Sequence, residues 1–160
     1  MKEHKPIKRH SALISYSKEH HFGLLLTWKI RQGFSLGVET ERMSKYVLHF
    51  FNTGLKKHFA DEETFLFSRI AADDALRRQA EAEHREIYSL VAQIASNLGD
   101  DTLLRSFADL LEKHIRFEER NLFNHLQQHI PADELEAIEK RTNAGPDPDL
   151  QWPDAFWLKK

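Results

Sequence analysis

The sequence predicts an all-α protein: an up-down-up-down antiparallel four-helix bundle with a short extra helix and a C-terminal tail. Three observations predict it. Apolar residues recur at helical spacing in four long stretches. The connections between those stretches are short, which forces antiparallel neighbours. No segment alternates with the period of two that marks a half-buried strand.

Leu13, Ile14, Leu24, Leu25 and Trp28 define a first helix over about 11–32, and Gly33 and Gly37 punctuate the connection that follows. Met43, Val47, Phe50, Phe51, Leu55, Phe59, Leu66 and Ile70 then mark a second helix over about 39–70. Asp73-Asp74 supplies N-cap chemistry for a third over about 73–98, with Ala80, His84, Ile87, Val91, Ile94 and Leu98 on one face and Gly99 as its C-cap. Asp100-Asp101 opens a fourth over about 101–129, which runs through Leu104, Phe107, Leu111, His114, Leu122 and Leu126 until Pro131 stops it. A short helix over about 132–142 completes a bundle spanning residues 1–142. Residues 143–160 form a Pro- and Asp-rich tail whose Trp152, Phe156 and Trp157 are expected to pack on the bundle or on a partner.

The 160 residues suit one domain, and 23 Lys+Arg against 25 Asp+Glu leave no basic excess to hold nucleic acid. The absence of Cys excludes disulfides, thiolate nucleophiles, iron–sulfur clusters and zinc ribbons. No apolar run approaches the roughly 18 residues of a membrane span, and MKEHKPIKRH lacks the apolar stretch of a secretory leader. A cytoplasmic protein with no nucleic-acid or membrane partner is expected. Ten His beside many Glu remain to be explained.

Residues 55–67 (LKKHFADEETFLF) and 111–123 (LEKHIRFEERNLF) align without gaps at seven identical positions of thirteen. The i, i+4 spacing puts His58 and Glu62 on one helix face, and likewise His114 and Glu118. Each face continues into the apolar stripe, through Phe51, Leu55 and Leu66 on one helix and Phe107, Leu111 and Leu122 on the other. A solvated surface pair does not account for two inward-facing pairs in a duplicated segment. Buried unpaired carboxylates cost several kcal/mol each, and no Lys or Arg lies on these stripes. A metal is the simplest compensating charge.

His84 sits amid the apolar face of the third helix. The first helix offers His20 and His21, and two criteria disagree. His21 shares a face with Ile14, Leu24, Leu25 and Trp28, whereas His20 follows a Glu as His84 does. Packing favours His21, with its neighbour at the rim of the site. Four His and two Glu without thiolate suit iron, manganese or zinc, and six inward ligands suit two metals sharing bridging carboxylates. The ferritin-like dimetal bundles use Glu-x-x-His, an order this chain does not have. Glu63 and Glu119, at i+5, point away from His58 and His114 and are expected to support rather than ligate. His4, His10, His49, His125 and His129 carry no comparable signal.

The duplicated His-x-x-x-Glu-Glu followed by Leu-Phe, together with Ser17-Lys18-Glu19-His20-His21 and Glu83-His84, resembles the bacterial hemerythrin-like (HHE cation-binding) family over about residues 10–128. The resemblance implies a hemerythrin-like bundle with an oxo- or hydroxo-bridged non-haem di-iron centre. It implies His21 or His20, His58, His84 and His114 as terminal ligands, with Glu62 and Glu118 as bridges; zinc or manganese are possible substitutes. Oxygen-carrying relatives have a second His one turn after the first on the third helix, where this chain has Tyr88. They also use a longer-spaced Asp on the last helix, where this chain has Glu118. The function implied is binding of oxygen, nitric oxide or peroxide for sensing, storage or detoxification, in a binding protein rather than a dedicated enzyme. An oxidoreductase in nitric oxide reduction or iron–sulfur repair, or a structural zinc or manganese bundle, are the alternatives. A small diatomic ligand is the expected partner, alongside a second copy of the chain or a separate signalling protein.

Overall fold

In the computed structural model, which describes residues 8–159, five helices account for the bundle, and no strand occurs among the described residues. His4 lies outside the described residues. The helices are α1 (Ser11–Ser35), α2 (residues 40–69), α3 (Ala75–Ser96), α4 (residues 101–129) and α5 (Ala132–Arg141). Capping follows local chemistry. The His10 imidazole accepts from the Ala12 N–H, Asp74 caps Leu76 and Arg77, and Asp100 caps Leu103. The α1–α2 turn needs the left-handed backbone that Gly37 adopts at φ 71°. The end of α3 differs from expectation: it stops at Ser96 with Asn97 as the C-cap, and Gly99 is not in a left-handed conformation.

α2 and α4 are not uniformly α-helical. Each widens to π-helical turns, at Phe51–Leu55 and Glu62–Leu66 in α2 and at Glu118–Leu122 in α4. Glu62 and Glu118 each open one. The extra residue per turn lets consecutive side chains, Leu66 with Phe67 and Leu122 with Phe123, all reach full burial.

α1 packs on α2 and α4, and α3 packs on the same two helices, while α5 lies along α1. The interior holds two apolar clusters. One contains Leu26, Ile30, Val47, Phe59, Ile87, Phe107 and Leu111; the other contains Leu13, Tyr16, Leu66, Phe67, Ala80, Leu122 and Phe123. In chain order, the passage from one cluster to the other falls at His20 in α1, at His84 in α3, and over His58–Glu62 in α2 and His114–Glu118 in α4. A polar layer between two apolar ones is the result.

The tail packs on the bundle. Phe156 is buried beside Gly33, where an added methyl would overlap Met43 and Phe156. Rings of Trp152, Phe156 and Trp157 lie 5.4–5.6 Å from Tyr46. Asp149 pairs with both the buried Lys29 ammonium and the Tyr46 hydroxyl, and Arg42 grips Asp154 through two bonds of 2.7 and 3.0 Å. Phe156→Ala is expected to cost about 3–5 kcal/mol, the range for truncating a buried ring, measured as a drop in denaturant midpoint.

Candidate metal centre

Each long helix contributes one histidine to the polar layer: His20 from α1, His58 from α2, His84 from α3 and His114 from α4. The i, i+4 spacing adds Glu62 and Glu118, both 0% exposed. Their ligand atoms form two groups of four, His20–His58–Glu62–Glu118 and Glu62–His84–His114–Glu118. Within each group the atoms lie within 4.8 Å of one another, and both groups share the two carboxylates.

His84 Nε2 lies 3.2 Å from Glu62 and 3.3 Å from Glu118. His20 Nε2 lies 3.6 and 3.4 Å from the same two carboxylates, and His58 Nε2 is 3.3 Å from Glu62. Proximity does not become hydrogen bonding at most of these atoms. Nε2 of His20, His58 and His114, both oxygens of Glu62 and Oε2 of Glu118 are buried without a hydrogen-bond partner. An unsatisfied buried polar atom costs roughly 1–3 kcal/mol. Six of them converging on one layer, all lone-pair-bearing oxygens and imidazole nitrogens, fit a pair of cations. Side chains alone leave them unsatisfied.

The opposite edge of each imidazole is occupied. Nδ1 of His20 meets Glu119 at 2.7 Å, that of His58 meets Glu19 at 3.2 Å, that of His84 meets Glu63 at 3.1 Å, and that of His114 meets Glu83 at 2.8 Å. An ionised carboxylate only accepts, so Nδ1 keeps a proton, and Nε2 faces inward, where loss of its own proton exposes a lone pair. Aromatic rings close the layer. Phe59 stacks on His84 at 4.0 Å, Phe123 stacks on His20 at 5.1 Å, and Tyr16 lies edge-on to His58 at 5.9 Å.

Without metal, the layer holds protons. Burial pulls the His58 pKa down, but the nearby Glu62 charge and the bond to Glu19 outweigh it and push it up to about 9. Burial likewise opposes charge on His20 and His84, yet their carboxylate partners hold both well above the ordinary histidine value. Burial raises Glu118, and His114 with its other partners draws it well below the ordinary carboxylate value. Burial and the Glu118 charge both raise Glu62; His58 and His20 bring it below its ordinary value. Metal ions must therefore displace protons to enter.

Of the seven candidate residues, the structure brings together His20, His58, Glu62, His84, His114 and Glu118. His21 is corrected: it is exposed and lies outside both groups. The stripe that argued for it, Ile14, Leu25 and Trp28, is 53%, 37% and 51% exposed. The face that enters the bundle runs through Leu13, Tyr16, His20, Gly23, Thr27 and Ile30. The Glu-His repeat, Glu19-His20 and Glu83-His84, was the better signal. Tyr88 is partly buried edge-on to Phe51 and Phe59, at 5.4 and 6.0 Å, and belongs to neither group. His49 stacks on Trp152 at 4.7 Å and His125 meets Asp74 at 2.6 Å, so both serve packing and capping. Glu19 and Glu83, bonded to His58 and His114, are positions that sequence reasoning left without a role of their own; their only signal is adjacency to His20 and His84.

Compared with known proteins, residues 2–126 match the Hemerythrin HHE cation binding domain. No curated protein and no solved structure matches the chain. Among the described residues, no helix is long and apolar enough to cross a membrane.

Proposed function

Because the chain belongs to the hemerythrin HHE cation-binding family, we propose that it is a non-haem di-iron protein binding a small ligand, oxygen, nitric oxide or a peroxide, for sensing, storage or detoxification. One observation carries this reading: two four-residue ligand groups that share both of their carboxylates. His20 and His58 would hold one iron, His84 and His114 the other, and Glu62 and Glu118 would bridge them. Four protein ligands per ion leave coordination positions for a small molecule. An iron pair supplies Lewis acidity and one-electron redox capacity when bound.

The chain's own residues do the rest. The Nδ1 bonds fix each imidazole's tautomer, and Phe59, Phe123 and Tyr16 keep bulk water from the layer. Six carboxylates lie in or beside the layer, Glu62 and Glu118 with Glu19, Glu63, Glu83 and Glu119. The up-down-up-down order is part of the proposal. It is supported by the alternation with which successive helices pass between the two apolar clusters.

Loading the protein anaerobically with ferrous iron and exposing it separately to oxygen, nitric oxide and hydrogen peroxide tests the reading. Visible absorption of the iron centre is expected to change at about one ligand per iron pair, without repeated turnover. Sustained consumption of nitric oxide or peroxide would make the protein an oxidoreductase. Retention of zinc or manganese, with no spectral response after iron loading, would make the metal structural.

A further inference from the structure

Glu19, Glu63, Glu83 and Glu119 are not among the metal-facing groups, yet their arrangement is ordered. Glu19 of α1 accepts from His58 of α2, Glu63 of α2 from His84 of α3, Glu83 of α3 from His114 of α4, and Glu119 of α4 from His20 of α1. Each helix hands one carboxylate to the next helix's histidine, and the circuit closes. None of the four serves a histidine on its own helix. Three are themselves held in place. Ser17 donates to both Glu119 oxygens at 2.9 and 3.0 Å, Gln79 donates to Glu83 at 3.3 Å, and the Gly145 N–H of the tail donates to Glu19 at 3.3 Å.

We propose that these four carboxylates are positioning residues, and that each acts on one metal position only: Glu19 and Glu119 on the His20–His58 position, Glu63 and Glu83 on the His84–His114 position. The proposal rests on the metal-centre reading above. Carboxylates bonded to the far nitrogen of a ligating imidazole fix its aim and raise its basicity, and their loss costs roughly 10–100-fold in metal affinity. The circuit assigns that loss to a single ion, because each carboxylate touches one histidine and each histidine belongs to one group.

The test is an anaerobic titration of the full-length metal-free chain with ferrous iron against a competing chelator, following two binding steps. Glu63 and Glu119 are the variants of choice, their side chains being 37% and 31% exposed. Glu119→Ala is expected to weaken one step by about 10–100-fold and leave the other within about threefold, and Glu63→Ala to do the same to the opposite step. In a His58→Ala background, Glu119→Ala adds little while Glu63→Ala retains its full effect, as expected for one shared position and one separate one. Helical circular dichroism of the metal-free variants checks folding; if an Ala variant does not fold, the Gln variant is titrated in its place. Equal weakening of both steps by each variant, or no weakening by either, overturns the proposal. If the unaltered chain binds no iron, the metal-centre reading falls and takes the proposal with it; if it binds two ions and the variants bind as it does, the proposal alone falls.

Discussion

Glu118→Ala is expected to release both metal ions, whereas His114→Ala releases one. The difference follows from sharing: Glu118 belongs to both ligand groups, while His114 belongs to one. Glu62→Ala should behave as Glu118→Ala does. Loss of a direct ligand should exceed the roughly 10–100-fold that an outer partner is worth. Metal content after desalting should then fall from about two ions per chain to near none for either Glu variant, and to about one for His114→Ala. A Glu118→Ala protein that retains one ion at full affinity would show that the carboxylates are not shared.

The second large effect is on pH dependence. The metal-free chain is expected to lose stability as pH rises from about 6.5 to about 9. His58 has a folded pKa of about 9 against an ordinary value of 6.5, so the folded state binds the proton more tightly. The stabilisation is complete below pH 6.5 and gone once pH has passed about 9. For this one buried group the contribution is on the order of 3 kcal/mol, or roughly 6–12 °C in melting temperature for a chain of this length. The same contacts fail from the acid side, as Glu62 and Glu118 take up protons below their ordinary value of 4.5. Metal offsets the alkaline loss, since it binds the imidazoles after their protons leave. At one fixed free metal concentration the gain, roughly 2.7 kcal/mol where that concentration is about 100 times Kd, should be larger at pH 9 than at pH 6, because Kd falls as the imidazoles lose their protons. Melting curves with and without metal at the two pH values check it; a gain that is larger at pH 6 contradicts a site built on proton displacement.

Much of this was legible in the sequence because it is periodic. Helix order, the Asp74 and Asp100 caps and the inward turn of His58, Glu62, His114 and Glu118 all follow from 3.6-residue spacing and from the duplicated segment. α1 was the exception. Its buried face carries Tyr16, Gly23 and Thr27, residues that hydrophobicity weighs lightly, while its exposed face carries Ile14, Leu25 and Trp28. The apolar stripe of α1 therefore points outward, on the side of His21. The outer carboxylates were illegible for a different reason. Periodicity places Glu63 and Glu119 away from the histidines of their own helices, and that is where they are; their partners lie on other helices, which single-helix geometry cannot reach. The π-helical turns that begin at Glu62 and Glu118 left no mark in the apolar pattern, because the side chains on either side of them are apolar in both registers.

Iron content of the unaltered chain, measured after anaerobic loading and removal of free metal, tests the central claim most directly. The two overlapping ligand groups predict about two irons per chain, lost when His58→Ala and His114→Ala are combined. No retained iron in the unaltered chain, or undiminished retention in the double variant, would contradict it.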